Sequence, residues 1–143
     1  MAYATQADME ASFSAVDMIA LTDRATPPAG AIDTDVLDAA LINASSMMDG
    51  YFSRKYTVPL AAPSPDVVIR CVHLAYYLLH RDAVPDKVKL DYNGALSWLR
   101  DVSDGRVRLD GAQPLAPASD GDGVTFSTPG RTFSRDSFNQ GGF

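Results

Sequence analysis

Few residues of this 143-residue chain have the types and spacing that chemistry requires. Asp120-Gly121-Asp122-Gly123 carries part of a calcium-loop pattern, but the further oxygen ligands and the bidentate Glu are missing, so it reads as an acidic turn. Asp23 and Asp33-Thr34-Asp35 are better explained as helix caps. His73 and His80 are seven residues apart, two helical turns, and so share a face. At that spacing they cannot hold one metal without other ligands, and they read as core or interface histidines. Cys71 stands alone in an apolar run and reads as a small buried hydrophobe with no disulfide partner. Ser and Asp are plentiful, yet no nucleophile elbow, phosphate loop or paired-Cys motif organises them. The expectation is a protein that is not an enzyme and needs neither metal nor cofactor.

Charge narrows the partners. The formal net charge is −6, and every acidic side chain except Glu10 is an Asp. Tight DNA binding draws on clustered Lys and Arg, so this balance disfavours it. Tyr76, Tyr77, Tyr92 and Trp98 lie among apolar helix positions without interleaved basic residues, which points to packing rather than base stacking. Arg70, Arg81, Arg100, Arg106 and Arg108 are solvated in a monomer. In a ring they would pair with the Asp-rich surface of the next subunit, which makes them the inter-subunit candidates. Residues 1–5 lack the basic and apolar regions of a secretory signal, and no run reaches the roughly 18 apolar residues of a membrane span. A soluble protein made inside a cell, without membrane contact, is expected.

The elements behind these residues are helical. Thr5 with Asp8 forms a near capping box ahead of a short helix carrying Met9 and Phe13, and Ser12 or Ser14 restarts a turn into Val16, Ile19, Ala20 and Leu21. Asp33 or Thr34 caps a long helix whose apolar positions run from Val36 and Leu37 to Tyr51 and Phe52. Pro65 opens a third helix, apolar almost all round and so expected at the centre. Pro85 opens the last helix, and Gly105 ends it. Arg106-Val107-Arg108-Leu109 alternates enough for a short edge strand or an extended exit. The prediction is an all-α fold: a four-helix bundle over residues 1–109, followed by an extended arm over 110–143.

The arm is rich in Gly, Pro, Ser and Asp and cannot build a core. It nevertheless carries Phe126, Phe133, Phe138 and Phe143. In extended form Arg131, Phe133 and Arg135 point one way, a pattern that adds to a sheet edge or lies in a groove. These six residues are the candidate partner-binding set.

The order of the motifs resembles a known family. Tyr3-Ala4-Thr5 with Asp8 is followed by Leu21-Thr22-Asp23-Arg24, Ile32-Asp33, Val36-Leu37, Ala40-Leu41 and Ala44. Asp49-Gly50-Tyr51, Arg54-Lys55-Tyr56, Pro59-Leu60, Tyr77-Leu78-Leu79-His80 and the stretch Tyr92-Asn93-Gly94-Ala95-Leu96-Ser97-Trp98-Leu99 complete it. This looks like the small virion protein of Mu-like transposable phages, itself similar to the head–tail connector proteins of long-tailed phages. The likeness spans residues 3–109, and Phe133-Ser134-Arg135-Asp136 also fits. The loop after Arg24 departs: Ala25-Thr26-Pro27-Pro28-Ala29-Gly30 replaces an acidic stretch and argues against a cation there.

The resemblance implies a virion adaptor made in the host cytoplasm and placed at the head–tail junction. It would form a ring of about twelve copies beneath the portal protein. The arm would reach a neighbouring copy, the portal, or the next neck protein (a stopper or tail terminator). DNA would cross the lumen without being read, which suits an acidic lining. The reading from another class is a small helical DNA-binding regulator, with Arg70 and Arg81 or Lys87, Lys89 and Arg100 on its recognition helix.

Overall fold

A computed structural model describes residues 1–116. Five helices follow in order: α1 Gln6–Ser12, α2 Ala15–Thr22, α3 Thr34–Phe52, α4 Pro65–Leu79 and α5 Asp86–Asp104. No strand occurs among the described residues, so the all-α expectation is met. The first predicted segment is two helices rather than one. Thr5 caps α1 through the expected box with Asp8, whereas Ser14 takes extended backbone and caps a new helix by accepting the Asp17 N–H. That restart resets the rotational phase. Met18 and Thr22 are buried on α2, while Val16 is 76% exposed.

The other boundaries lie where local chemistry places them. The Asp33 carboxylate accepts the N–H groups of Asp35 and Val36 at the start of α3. Pro65 occupies the first turn of α4, where its missing N–H leaves no bond unmade. Pro85 immediately precedes α5, and Gly105 ends it at φ 82°, the left-handed conformation glycine tolerates best.

α3, α4 and α5 pack pairwise into a three-helix core, with α1 against α3 and α4 and α2 against α3. Contacts fix their directions. Ser45 meets Cys71, and a cleft joins Val36 and Ala40 to Leu78 and Leu79, so α3 and α4 are antiparallel. Arg70 lies over Trp98 while Tyr77 stacks on Tyr92, so α5 runs back along α4. Phe52 meets Trp98 edge-on, and Arg54 reaches Ser103; α3 and α5 therefore end at the same pole.

The core is lined by Phe52, Met9, Met18, Leu37, Leu41, Met48, Leu74 and Leu99, all fully buried. α4 does touch three other helices, but its apolar circumference is not all used: Ile69 is 49% exposed. Arg106 to Leu109 forms an extended exit, not a strand. The chain then turns back, and Thr57 and Leu115 donate their N–H groups to Gln113 O (3.0 Å) and Lys55 O (2.9 Å) around an antiparallel bridge between Tyr56 and Pro114. Hydrogen bonding to the body thus continues past residue 109.

Candidate interaction surface

Two tyrosines tie distant segments into this body. Tyr3 donates its N–H to Ser45 Oγ (2.9 Å) and its hydroxyl to Asp49, and that hydroxyl accepts the Leu60 N–H (3.0 Å). Burial, with the bond to Asp49 second, raises the Tyr3 phenol far above its ordinary value. Ser45 gives its own proton to Leu41 O (2.8 Å), which leaves the Cys71 thiol as donor in their 3.4 Å contact. Burial pushes that thiol up, so Cys71 is the inert core residue expected of it. Tyr56 repeats the device: its hydroxyl accepts the Leu109 N–H at 3.1 Å. A residue set first noticed for its order in the sequence therefore does structural work.

The acidic and histidine candidates are likewise absorbed locally. Asp23 accepts the N–H of Gly30 (2.7 Å) and of Ala25 (3.2 Å), and these bonds, Gly30 foremost, hold its carboxyl below the usual range. Thr22 Oγ1 accepts the Asp33 N–H (3.1 Å), closing the same loop from inside. His80 ends α4, its Nδ1 2.9 Å from Tyr76 O. His73 faces α5, and its buried Nδ1 has no partner among the described residues. No group of three or more His, Cys, Asp or Glu side chains gathers among the described residues, and none of their helices is long and apolar enough to cross a membrane.

His73 yields a prediction. Burial holds its imidazole below the ordinary value of 6.5, with Asp91 opposing and Arg70 and Lys87 reinforcing. Below pH 6.5 the unfolded chain then binds a proton that the folded chain refuses, so stability rises with pH through that window and falls as pH drops. Urea titrations between pH 7 and pH 5 should show this loss, with a shallower slope in His73→Gln. An unchanged slope would assign the acid sensitivity elsewhere.

The five arginines expected between subunits do not share one surface. Arg70 is half-buried, its guanidinium carbon 5.8 Å from the Trp98 ring centre and its Nε without a partner among the described residues. Arg81 sits at the opposite pole, beside Leu21 and His80. Arg100, Arg106 and Arg108 do come together, at the pole where α3 and α5 end. Arg106 already pairs with Asp101 (2.9 Å) and Asp104 (3.7 Å), though exposed pairs of this kind stabilise little.

Sequence reasoning missed two members of this pole, Arg54 and Lys55. The available signal was their place directly after α3, where cations complement the helix dipole. Arg54 and Arg100 line an open cleft of about 370 Å³ with Tyr51, Ser103 and Asp104, and Arg54 Nη1 donates to the buried Ser103 Oγ at 3.3 Å. Lys55 and Arg108 line a second cleft, of about 470 Å³, with Tyr56, Leu109 and Pro114. Among the described residues, Arg54, Lys55, Arg100 and Arg108 have no carboxylate within 4.0 Å. The expected arm contacts Phe126, Arg131, Phe133, Arg135, Phe138 and Phe143 lie outside the described residues.

The model of the bacteriophage Mu Gp36 family matches residues 3–127. The chain belongs to that family. It is 28% identical over 107 residues to Gene product J of Escherichia phage Mu, covering 75% of each chain. It is also 28% identical over 83 residues to the Mu-like prophage FluMu protein gp36 of Haemophilus influenzae, covering 58% of this chain and 59% of that one. The resemblance seen in the motif order is thus borne out. The Gp36 match begins at Tyr3 and takes in both tyrosine ties and the whole basic pole. It runs past the last described residue to include Asp120, Asp122 and Phe126, and it stops short of Arg131.

Proposed function

We propose that this phage protein is a head–tail connector, an adaptor ring beneath the portal that joins the DNA-filled head to the neck and tail. Its work is binding, not catalysis. The observation that carries the reading is the Gp36 match taken with one feature of the body. The chain leaves the helical core for its arm at a single pole, pinned there by backbone bonds to Lys55 and Thr57. A rigid body with one anchored exit suits a part that docks by its arm. Its partners are further copies of itself, the portal protein, and the next stopper or tail-terminator protein. The net charge of −6 suits a lumen that lets DNA pass without holding it by phosphate contacts.

The test is removal of the gene from an infecting phage, followed by particle imaging. Filled heads and separate tails that fail to join are expected, and supplying the protein in trans should restore joining. Normal infectious yield without the chain, or its absence from purified particles, would overturn the proposal.

A further inference from the structure

The charges of the described body are divided along the chain. Residues 1–53, through the end of α3, hold eight acidic side chains and one basic side chain, Arg24. Residues 54–116 hold nine Lys and Arg against seven acids. Among the described residues every ion pair lies in or just after α5, so no acid of the first half has a cation within 4.0 Å. The fold carries this division to its two ends. Asp33, Asp35 and Asp38 stand at the start of α3, and the Thr22–Asp33 bond brings Asp23 beside them. Arg24 and Arg81 are the lone cations at that end, because the α5 lysines there already pair with Asp91 and Asp86. At the other end Arg54 reaches Ser103 (3.3 Å), one turn beyond Arg100, and Lys55 shares a cleft with Gly105 and Arg108. Arg106 takes up Asp101 and Asp104 there, and no carboxylate, Asp110 included, comes within 4.0 Å of the other four cations.

The two sets cannot neutralise each other within one molecule. From Asp35 to Phe52 is about 26 Å of helix at 1.5 Å per residue. Screening at physiological salt weakens exposed charges beyond about 8 Å. The surface that complements one pole is instead present on the opposite pole of every further copy. Complementary potentials favour that unlike pairing and its register, and they penalise acidic pole on acidic pole. A contact between two different surfaces repeats from copy to copy and closes into a ring where the rotation permits. DNA fits the basic pole less well, because the chain carries a net −6 and Asp101, Asp104 and Asp110 stand among these cations.

We infer that the basic pole, where α3 and α5 end, docks on the acidic pole, where α3 begins, of a second copy of this chain. The inference rests on the connector reading for its partner, since that reading calls for further copies. It adds which two surfaces meet and excludes a contact made by the same patch on both molecules.

Charge exchange in phage complementation tests it. Arg100→Asp with Arg108→Asp, and separately Asp35→Lys with Asp38→Lys, should each lower infectious yield at least about tenfold. None of these four side chains has an ion-pair partner to lose, so melting should stay within a few degrees of the unaltered chain. A chain carrying all four changes should regain most of the yield, because its reversed poles match again. Yield indifferent to either pair would overturn the inference. So would yield that stays low in a well-folded four-fold variant, which would give the basic pole to a different acidic partner. A disulfide reads the same contact without charge reversal. About 21 Å of α3 separates Asp38 from the Phe52 end, where Arg100 sits, so Asp38→Cys with Arg100→Cys cannot close within one chain. Cys71 is buried and does not compete. Oxidised particles should yield a ladder of linked copies, and particles that contain the chain but give only monomer would sink this contact alone. Particles that lack the chain would sink the connector reading itself. A short DNA duplex bound by the unaltered chain, and lost with Arg100→Asp and Arg108→Asp, would overturn the inference in favour of phosphate.

Discussion

Phe52→Ala should lower the free energy of unfolding by about 3–5 kcal/mol, the range for removing a fully buried aromatic side chain. Phe52 is 0% exposed and occupies the last turn of α3, where two distant segments meet its ring. Tyr3 from the N-terminal segment packs at 6.2 Å and Trp98 of α5 approaches edge-on at 6.3 Å. The Phe52 carbonyl also accepts the N–H groups of Lys55 and Tyr56, so its turn begins the loop that carries the basic pole. Tyr3 cannot collapse into the space without leaving its bonds to Asp49 and Leu60. Domains of this size are stable by about 5–15 kcal/mol, so the variant should approach the threshold of folding. Denaturant titration reads the loss as a lower midpoint at constant slope. Ile42→Ala, on the exposed side of α3, should change stability by less than about 0.5 kcal/mol. A loss below about 1 kcal/mol for Phe52→Ala would mean that these segments do not depend on this ring.

Ending the chain after Ala116 should abolish the joining of heads to tails while leaving the body folded. The position matters. A cut after residue 109 would remove the Thr57–Gln113 and Lys55–Leu115 backbone bonds, and its effect on assembly would be mixed with a loss of stability. A cut after Ala116 keeps those bonds, the Tyr56–Leu109 tie and every core residue among those described. It removes Phe126, Arg131, Phe133, Arg135, Phe138 and Phe143, which the connector reading makes the anchors. Circular dichroism and thermal melting should match the full chain within a few degrees, since the buried apolar residues of the described body are all kept. Complementation with the truncated gene should then yield infectious particles at or near background. Normal yield from the truncated chain would remove the arm from the mechanism, even if the body remained essential.

Much of the helical frame was legible because its signals are local. Thr5 with Asp8, Ser14 and Asp33 mark helix starts whose side-chain bonds close within three residues, Pro65 and Gly105 mark ends through their backbone conformation, and each stands where expected. Local signals failed where rotation mattered. The Phe13–Ser14 break changes the phase between α1 and α2, and Met18, which the apolar pattern did not single out, enters the core while Val16 is exposed. Asp49 shows a second kind of failure. Its helical period assigns it to the solvated face, yet it accepts the hydroxyl of Tyr3, a residue 46 positions away.

The interaction surface was less legible than the frame. Arg100, Arg106 and Arg108 were chosen for their charge, but charge alone does not separate them from Arg70, which lies over Trp98, or from Arg81 at the far pole. Arg54 and Lys55 are some 45 positions from Arg100 in the sequence, and only the shared end of α3 and α5 brings them to one pole.

From its residues alone, then, this chain declares a helical body, an acidic balance, an arm unlike the body, and membership of a phage family. Caps, turns and periodicity act over a few residues, so they survive in one dimension. Which cations share a cleft, which serines and tyrosines are consumed as internal ties, and where the arm takes root depend on helices crossing at chosen angles. Those angles are set by side chains 40 to 60 positions apart, such as Tyr3 with Leu60 and Arg54 with Ser103, and they appear only once the core has closed.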